Sequence, residues 1–289
     1  MRIGFFSDSY LPRADGVATG VEAYRAGLEK LGHTVYVFCP QRTEPFTELT
    51  KNIYRFRSFP SVLYENYRDT LPFRPKRVKF IRSLKLDVVH TFTQFQIGLL
   101  GLYIARSSSI SLVTTCMADF DLVNEYRWLG PVSLIAALGT SALSRQLISP
   151  GELKLFLKPT YSPERFLQQF VKSAAGFYNN KCDLVTAPSV KVKDAIKPYT
   201  KKPIAIVPLG TDLSLVPKKA NVKAIRMKYK IPENKVIFVS ASRLVKEKRI
   251  DFLIQAYSQL ALSFEAFGAL SNSFKKVCKA SFGFPIGGL

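Results

Sequence analysis

Residues 2–40 constrain the fold more than any other stretch. Ile3, Phe5 and Phe6 form a short apolar run of the buried-strand kind. A polar loop with Pro12 and Gly16 follows. Val17, Val21, Tyr24, Leu28 and Leu31 then recur three to four residues apart, which is one apolar helical face. Gly32 is placed to end that helix, and Thr34 to Phe38 is a second β-rich run. Strand, helix and strand make a right-handed βαβ unit, the seed of a doubly wound parallel sheet. Ligands of such sheets bind at the carboxyl edge, beside helix N-termini that favour anions. Gly16 lies there and lets backbone N–H groups approach a phosphate; a glycine that only makes the turn accounts for the loop equally well. Gly16 and Gly20 do not spell the G-x-G-x-x-G fingerprint, which disfavours a dinucleotide enzyme.

The charge narrows the partners. Among 289 residues, 42 basic side chains against 21 acidic ones give a net charge of +21. That surplus points to polyanionic surroundings: phosphorylated substrate, anionic lipid or nucleic acid. A general basic bias that only aids solubility gives the same number. Cys39, Cys116, Cys182 and Cys278 have no metal-site spacing and read as reduced thiols of a cytosolic protein. His33 and His90 are the only histidines, so no metal site is expected. The chain enters a strand at once, and no signal peptide is expected.

Further along, Ile53 to Phe56 reads as a strand, followed by an aromatic segment. Pro75 opens a short helix with Val78, Ile81 and Leu84 on one side and Lys76, Lys79 and Arg82 on another. Such a helix either lies on an anionic bilayer or packs on the sheet with a solvated outer face. DVVH, from Asp87 to His90, is a compact strand that leaves His90 at its carboxyl end. There a ligand contact and a purely structural role are both open. A helical face runs through Phe95, Leu99 and Leu102, and Ile110 to Thr115 is the next strand. Residues 129–148 are apolar but interrupted, and fit a hairpin of short helices better than a membrane span. Asp183 to Ala187 and Ile204 to Val207 are strands, with Ser189 capping a helix between them. After a linker near residues 217–220, a second βα unit begins with KVIFVS (Lys235 to Ser240) and a helix carrying Ile250, Leu253, Ile254 and Tyr257.

The ordered segments FFSDSYLPRADGV, LEKLGHTVYVFCP, DVVHTFTQFQIGLLG, DLVTAPS, VPLGTDL and SRLVKEKRIDFLIQAY resemble family-four retaining glycosyltransferases of the two-Rossmann (GT-B) fold. Within them the chain is most similar to bacterial enzymes that glycosylate diacylglycerol or phosphatidylinositol. The resemblance implies an α/β architecture. A doubly wound, Rossmann-like N-terminal domain (residues 1–216) would face the acceptor, and an incomplete donor-binding domain (217–260) would follow. It implies transfer of a hexosyl group from a nucleotide sugar to a lipid or other hydroxyl acceptor, with no metal cofactor. Gly16 would face the donor diphosphate, and Arg243 and Lys248 would hold it, a guanidinium and an ammonium being able to meet the charge of a departing diphosphate. Asp8, His90 and Asp119 would stand on the acceptor side. The helix with Lys76, Lys79 and Arg82 would dock peripherally on the inner face of the cell membrane, with no nucleic-acid partner.

Three departures accompany the resemblance. Ser242 replaces the leading glycine of the diphosphate motif. Met117 stands where many relatives carry a histidine, and methionine holds neither a sugar hydroxyl nor a reacting proton. Asp121 and Asp119 are the carboxylates nearest that position, with Asp121 the candidate for a catalytic role. About 70 residues follow the linker, where a complete second domain needs ~150. Residues 261–289 no longer follow the family, so a truncated or frameshifted gene end and impaired activity are expected. The alternative is a non-catalytic remnant that binds anionic membranes.

Overall fold

The computed structural model describes residues 1–13, 15–41, 47, 51–60, 68–117, 175–210, 221–234, 239–240, 242 and 248–261, the last helix with side chains to residue 256. Seven strands line up in parallel in the order β3-β2-β1-β6-β7-β8-β9. They are β1 (Arg2–Phe6), β2 (Thr34–Pro40), β3 (Ile53–Phe56), β6 (Val88–Thr91), β7 (Ser111–Thr115), β8 (Leu184–Ala187) and β9 (Ile204–Ile206). A small antiparallel ribbon, β4 (Ser58–Pro60) with β5 (Arg68–Thr70), sits apart from this sheet. The helices are α1 (Gly16–Lys30), α2 (Pro75–Ser83), α3 (Gln96–Ser107), α4 (Val190–Ile196), α5 (Val222–Lys228) and α6 (Ile250–Ala261). This is the α/β, Rossmann-like parallel sheet that the sequence implied.

Both faces of the sheet are apolar, which is why its strands read as continuous hydrophobic runs. Successive residues of a strand point to opposite faces. Phe5 and Val37 join Ile3, Val35 and Val21 of α1 on one side. Phe6 and Phe38 join Ile81 of α2 and Ile97, Leu100 and Ile104 of α3 on the other. Val78 and Leu84 of α2 lean on that second cluster, as their spacing with Ile81 required.

Local signals set the helix ends. Asp15 caps α1 by accepting from the Ala18 N–H at 2.8 Å, and Gly32 just beyond the helix takes φ +82°. Pro75 occupies the first turn of α2, where its missing N–H costs nothing. Ser189 caps α4 through the Val192 N–H. The chain divides into two compact units, Met1–Asp212 and Leu213–Leu289. Among the described residues of the second unit, Asn221 caps α5 at Ala224 and no apolar side chain is fully buried.

Candidate functional site at the carboxyl edge of the sheet

Strand order reverses between β1 and β6: the chain runs outward through β2 and β3, then crosses back to lay β6 on the other side of β1. At such a switch point the loops after the two strands part and leave a crevice. The loop after β1 carries Ser7 to Asp15 into α1, and the loop after β6 carries Phe92 to Phe95 into α3. They are stitched together where Phe92 N–H donates to the Phe6 carbonyl at 3.0 Å and Asp8 N–H donates to Thr93 Oγ1 at 2.8 Å.

Asp8 stands at this edge but turns into the protein. Its Oδ1 accepts from the Ile97 N–H at 2.9 Å, and its Oδ2 from the Thr93 hydroxyl at 2.6 Å and the Gly98 N–H at 3.3 Å. The residue before α3, Phe95, offers no side-chain cap, so Asp8 supplies one from across the switch point. Burial raises its carboxyl above the usual range, against the lowering pull of the Thr93, Ile97 and Gly98 hydrogen bonds.

His90 is likewise internal. Its ring stacks on Phe92 at 4.1 Å and meets Phe5 and Tyr24 edge-on. Its Nε2 lies 2.7 Å from Thr115 Oγ1, which lies 2.7 Å from Thr186 Oγ1, a polar chain across β6, β7 and β8. Burial among these rings pushes its pKa down to about 3, so the imidazole is neutral near pH 7.

Gly16 opens α1 and is exposed, and a Cβ built there would meet nothing within 4 Å. Its loop is braced: Ser9 Oγ donates to Asp15 Oδ2 at 2.8 Å, and Arg13 pairs with the same carboxylate. One turn on, a Cβ at Gly20 would lie 3.3 Å from Met117 Cε and 3.2 Å from Leu209 Cδ2. Met117, at the end of β7, thus presents a half-buried thioether over α1. Tyr24 OH donates to the Val207 carbonyl at 3.3 Å, drawing the segment after β9 to the same helix.

On the outer side, Lys76, Lys79 and Arg82 of α2 are exposed on one stripe together with Phe80, which is 40% exposed. Arg82 also donates to Ser107 Oγ at 2.8 Å. Lys248 is exposed in the second unit. Asp119, Asp121 and Arg243 lie outside the described residues. The structure therefore brings Gly16, Asp8, His90 and Met117 to one edge, with two of them turned inward.

Two features escaped the sequence reading. Arg25 is buried in α1, held by Glu22 on its Nε and by Glu29 one turn on, while Tyr10 OH donates to Glu22 Oε2 at 2.6 Å. The spacing of Glu22, Arg25 and Glu29 was a visible signal for it. The other is a side-chain group of Gln94, Cys116 and Asn179, for which no local pattern exists. Among the described residues no group of three or more His, Cys, Asp or Glu is placed to hold a metal.

Comparison with known proteins gives this edge its context. The chain is 27% identical over 265 residues to an alpha-monoglucosyldiacylglycerol synthase of Streptococcus pneumoniae. It is 29% identical over 275 residues to one of Acholeplasma laidlawii. These alignments take in 90% and 91% of this chain but only 53% and 61% of the relatives, so the chain spans a little over half of their length. A GDP-mannose-dependent alpha-mannosyltransferase of Mycolicibacterium smegmatis is 28% identical over 124 residues, 41% of this chain and 33% of its own. Among solved structures, Anabaena Alr3699/HepE in complex with UDP-glucose superposes with a TM-score of 0.54 at 16% identity, covering 90% of this chain and 57% of that one. That likeness shows a shared GT-B-type fold. The model of Glycosyltransferase Family 4 matches residues 14–215, from the start of α1 through every strand after it in the parallel sheet. The chain belongs to glycosyltransferase family 4.

Proposed function

We propose that this chain supplies the acceptor-side lobe of a retaining hexosyltransferase, which moves a sugar from a nucleotide donor to the hydroxyl of a diacylglycerol-like lipid. The observation that carries this reading is the alignment of nine-tenths of the chain with two synthases named for monoglucosyldiacylglycerol. The geometry is compatible with it: Gly16, just inside the Asp15 cap of α1, is exposed at the carboxyl edge of the sheet with nothing within 4 Å of a Cβ built there, so a diphosphate could approach its backbone N–H and the positive helix end. Arg243 and Lys248 carry the charge that the leaving diphosphate needs, and no metal is required for that task. In this reading the exposed stripe of Lys76, Lys79 and Arg82 meets anionic lipid, and the protein sits peripherally on the inner face of the cell membrane. No helix among the described residues is long and apolar enough to cross one. Nucleic acid is not a partner in this reading.

A second reading, a membrane-binding module without transfer, is favoured by one observation: the basic stripe belongs wholly to the first unit. A radiolabelled transfer assay with UDP-glucose and dioleoylglycerol in anionic vesicles, run beside vesicle sedimentation, separates the two. Transfer supports the enzyme. Sedimentation without transfer supports the module, and neither one overturns both.

A further inference from the structure

Beneath the loop after β6 lies a polar group that neither the cap at Asp8 nor the relay at His90 uses. Gln94 is half-buried and sits two residues beyond Phe92, whose backbone is tied to the end of β1. Its Nε2 donates to Asn179 Oδ1 at 3.0 Å and toward Cys116 Sγ at 3.8 Å. Cys116 in turn donates its thiol proton to the same Asn179 oxygen at 3.4 Å. Burial pushes that thiol's pKa up to about 12, so it stays a donor.

With the Asn179 oxygen turned toward it, the direction of the Gln94 amide is set. Both N–H bonds of Gln94 point down at buried acceptors, and reversing Gln94 alone would set its carbonyl oxygen against that of Asn179. Its Oε1 accepts no hydrogen bond among the described residues, yet it is not among the buried atoms that lack a partner. Asn179 is 0% exposed and its Nδ2 has no partner. An orphaned buried donor is costly and calls for a compensating role. Aiming Gln94 is such a role, since the oxygen of Asn179 is engaged twice while its nitrogen is left idle.

We propose that Gln94 accepts a hydrogen bond from a substrate hydroxyl at the carboxyl edge of the sheet, with Asn179 and Cys116 as positioning residues below it. This rests on the function proposed above. A hydroxyl is the matching chemistry, because an amide oxygen with its N–H groups already committed can only accept. The hydroxyl belongs either to the donor sugar or to the lipid acceptor, and separate titrations tell them apart.

The test is calorimetric titration of the full chain with UDP, with UDP-glucose, and with vesicles carrying or lacking dioleoylglycerol. Gln94→Met keeps the shape and removes the amide, its oxygen together with its N–H donors to Asn179 and Cys116. It is expected to bind UDP as the wild type does and to lose about tenfold, equivalent to about 1.4 kcal/mol, on either UDP-glucose or the dioleoylglycerol vesicles. The ligand that weakens identifies the source of the hydroxyl. Asn179→Leu is expected to weaken the same ligand and leave UDP alone. Asn179→Asp, which keeps the acceptor beneath Gln94, is expected to retain binding. A folded Gln94→Met protein that binds every probe with wild-type affinity overturns this site alone, as does one that weakens UDP and UDP-glucose equally. A wild type that binds none of the probes overturns both the site and the proposed function.

Discussion

Asp8 and His90 share one sheet edge, and burial favours the neutral form of each, which moves their pKa values in opposite directions. It raises the carboxyl of Asp8 and lowers the imidazole of His90. Removing the cap in Asp8→Ala leaves the Ile97 and Gly98 N–H groups without an acceptor. We expect a loss of about 1–3 kcal/mol in urea denaturation, and a smaller one in Asp8→Asn, which keeps one oxygen. For His90 the folded pKa of about 3 lies below the unfolded value near 6.5. Between those values the unfolded chain holds a proton that the folded one lacks, so stability falls as pH drops through that window, by up to about 1.4 kcal/mol per pH unit. Asp8 acts the other way above about pH 3.8, stability falling as pH rises toward its folded pKa. The difference between wild type and His90→Gln isolates the histidine: the melting temperature of the variant should depend less steeply on pH between 4 and 6.5. The sequence placed His90 at the carboxyl end of its strand, and the family resemblance put Asp8 on the acceptor side. Neither could show that they face inward, since the partners of Asp8 lie on the far side of β6 and those of His90 on β7 and β8. Gln94 and Asn179 were invisible for the same reason: the pair meets only after the sheet has formed.

At the scale of elements, the parallel strands were legible nearly to the residue. Ile53–Phe56 appears as expected, and β6, β7 and β8 each start one residue later than their apolar runs. The ribbon β4–β5 was not legible, because Ser58–Pro60 and Arg68–Thr70 are three residues each and carry no alternation. Readings at residues 129–148, and the strand KVIFVS through most of its length, lie outside the described residues. Two glycines make a sharp test of helix packing. A Cβ at Gly101 of α3 would lie 2.8 Å from both Phe6 Cγ and Thr91 Cγ2, whereas one at Gly27 of α1 would meet nothing. Gly101→Ala should therefore cost about 1–3 kcal/mol by overpacking, while Gly27→Ala should gain about 0.5–1 kcal/mol from helix propensity. Thermal melts measure both. On α2, Lys76→Gln with Lys79→Gln removes two exposed charges and leaves Ile81 in the core. At about 1 kcal/mol per basic residue, binding to anionic vesicles should weaken by a factor of about thirty at low salt, with no change in melting temperature.

The whole molecule divides its stability unevenly. The first unit holds every fully buried apolar side chain among the described residues. In the second, Val222, Ile225, Met227, Tyr229, Val239 and Phe252 stay exposed. Amide hydrogens of α5 and α6 should therefore exchange with solvent far faster than those of β1 and β6, a contrast that mass spectrometry of deuterated peptides reads directly. The sheet order carries a different consequence, one of timing. Phe5 pairs with His90, and Thr115 with Thr186. A chain made from its amino terminus can join β1 to β2 early, but it must then wait for a distant stretch to leave the ribosome before β1 gains its other neighbour, and β7 waits likewise for β8. Closing such long loops precedes any reward from the contacts they bring. During that interval the nascent chain offers unpaired strand edges to whatever chaperone stands at the exit tunnel.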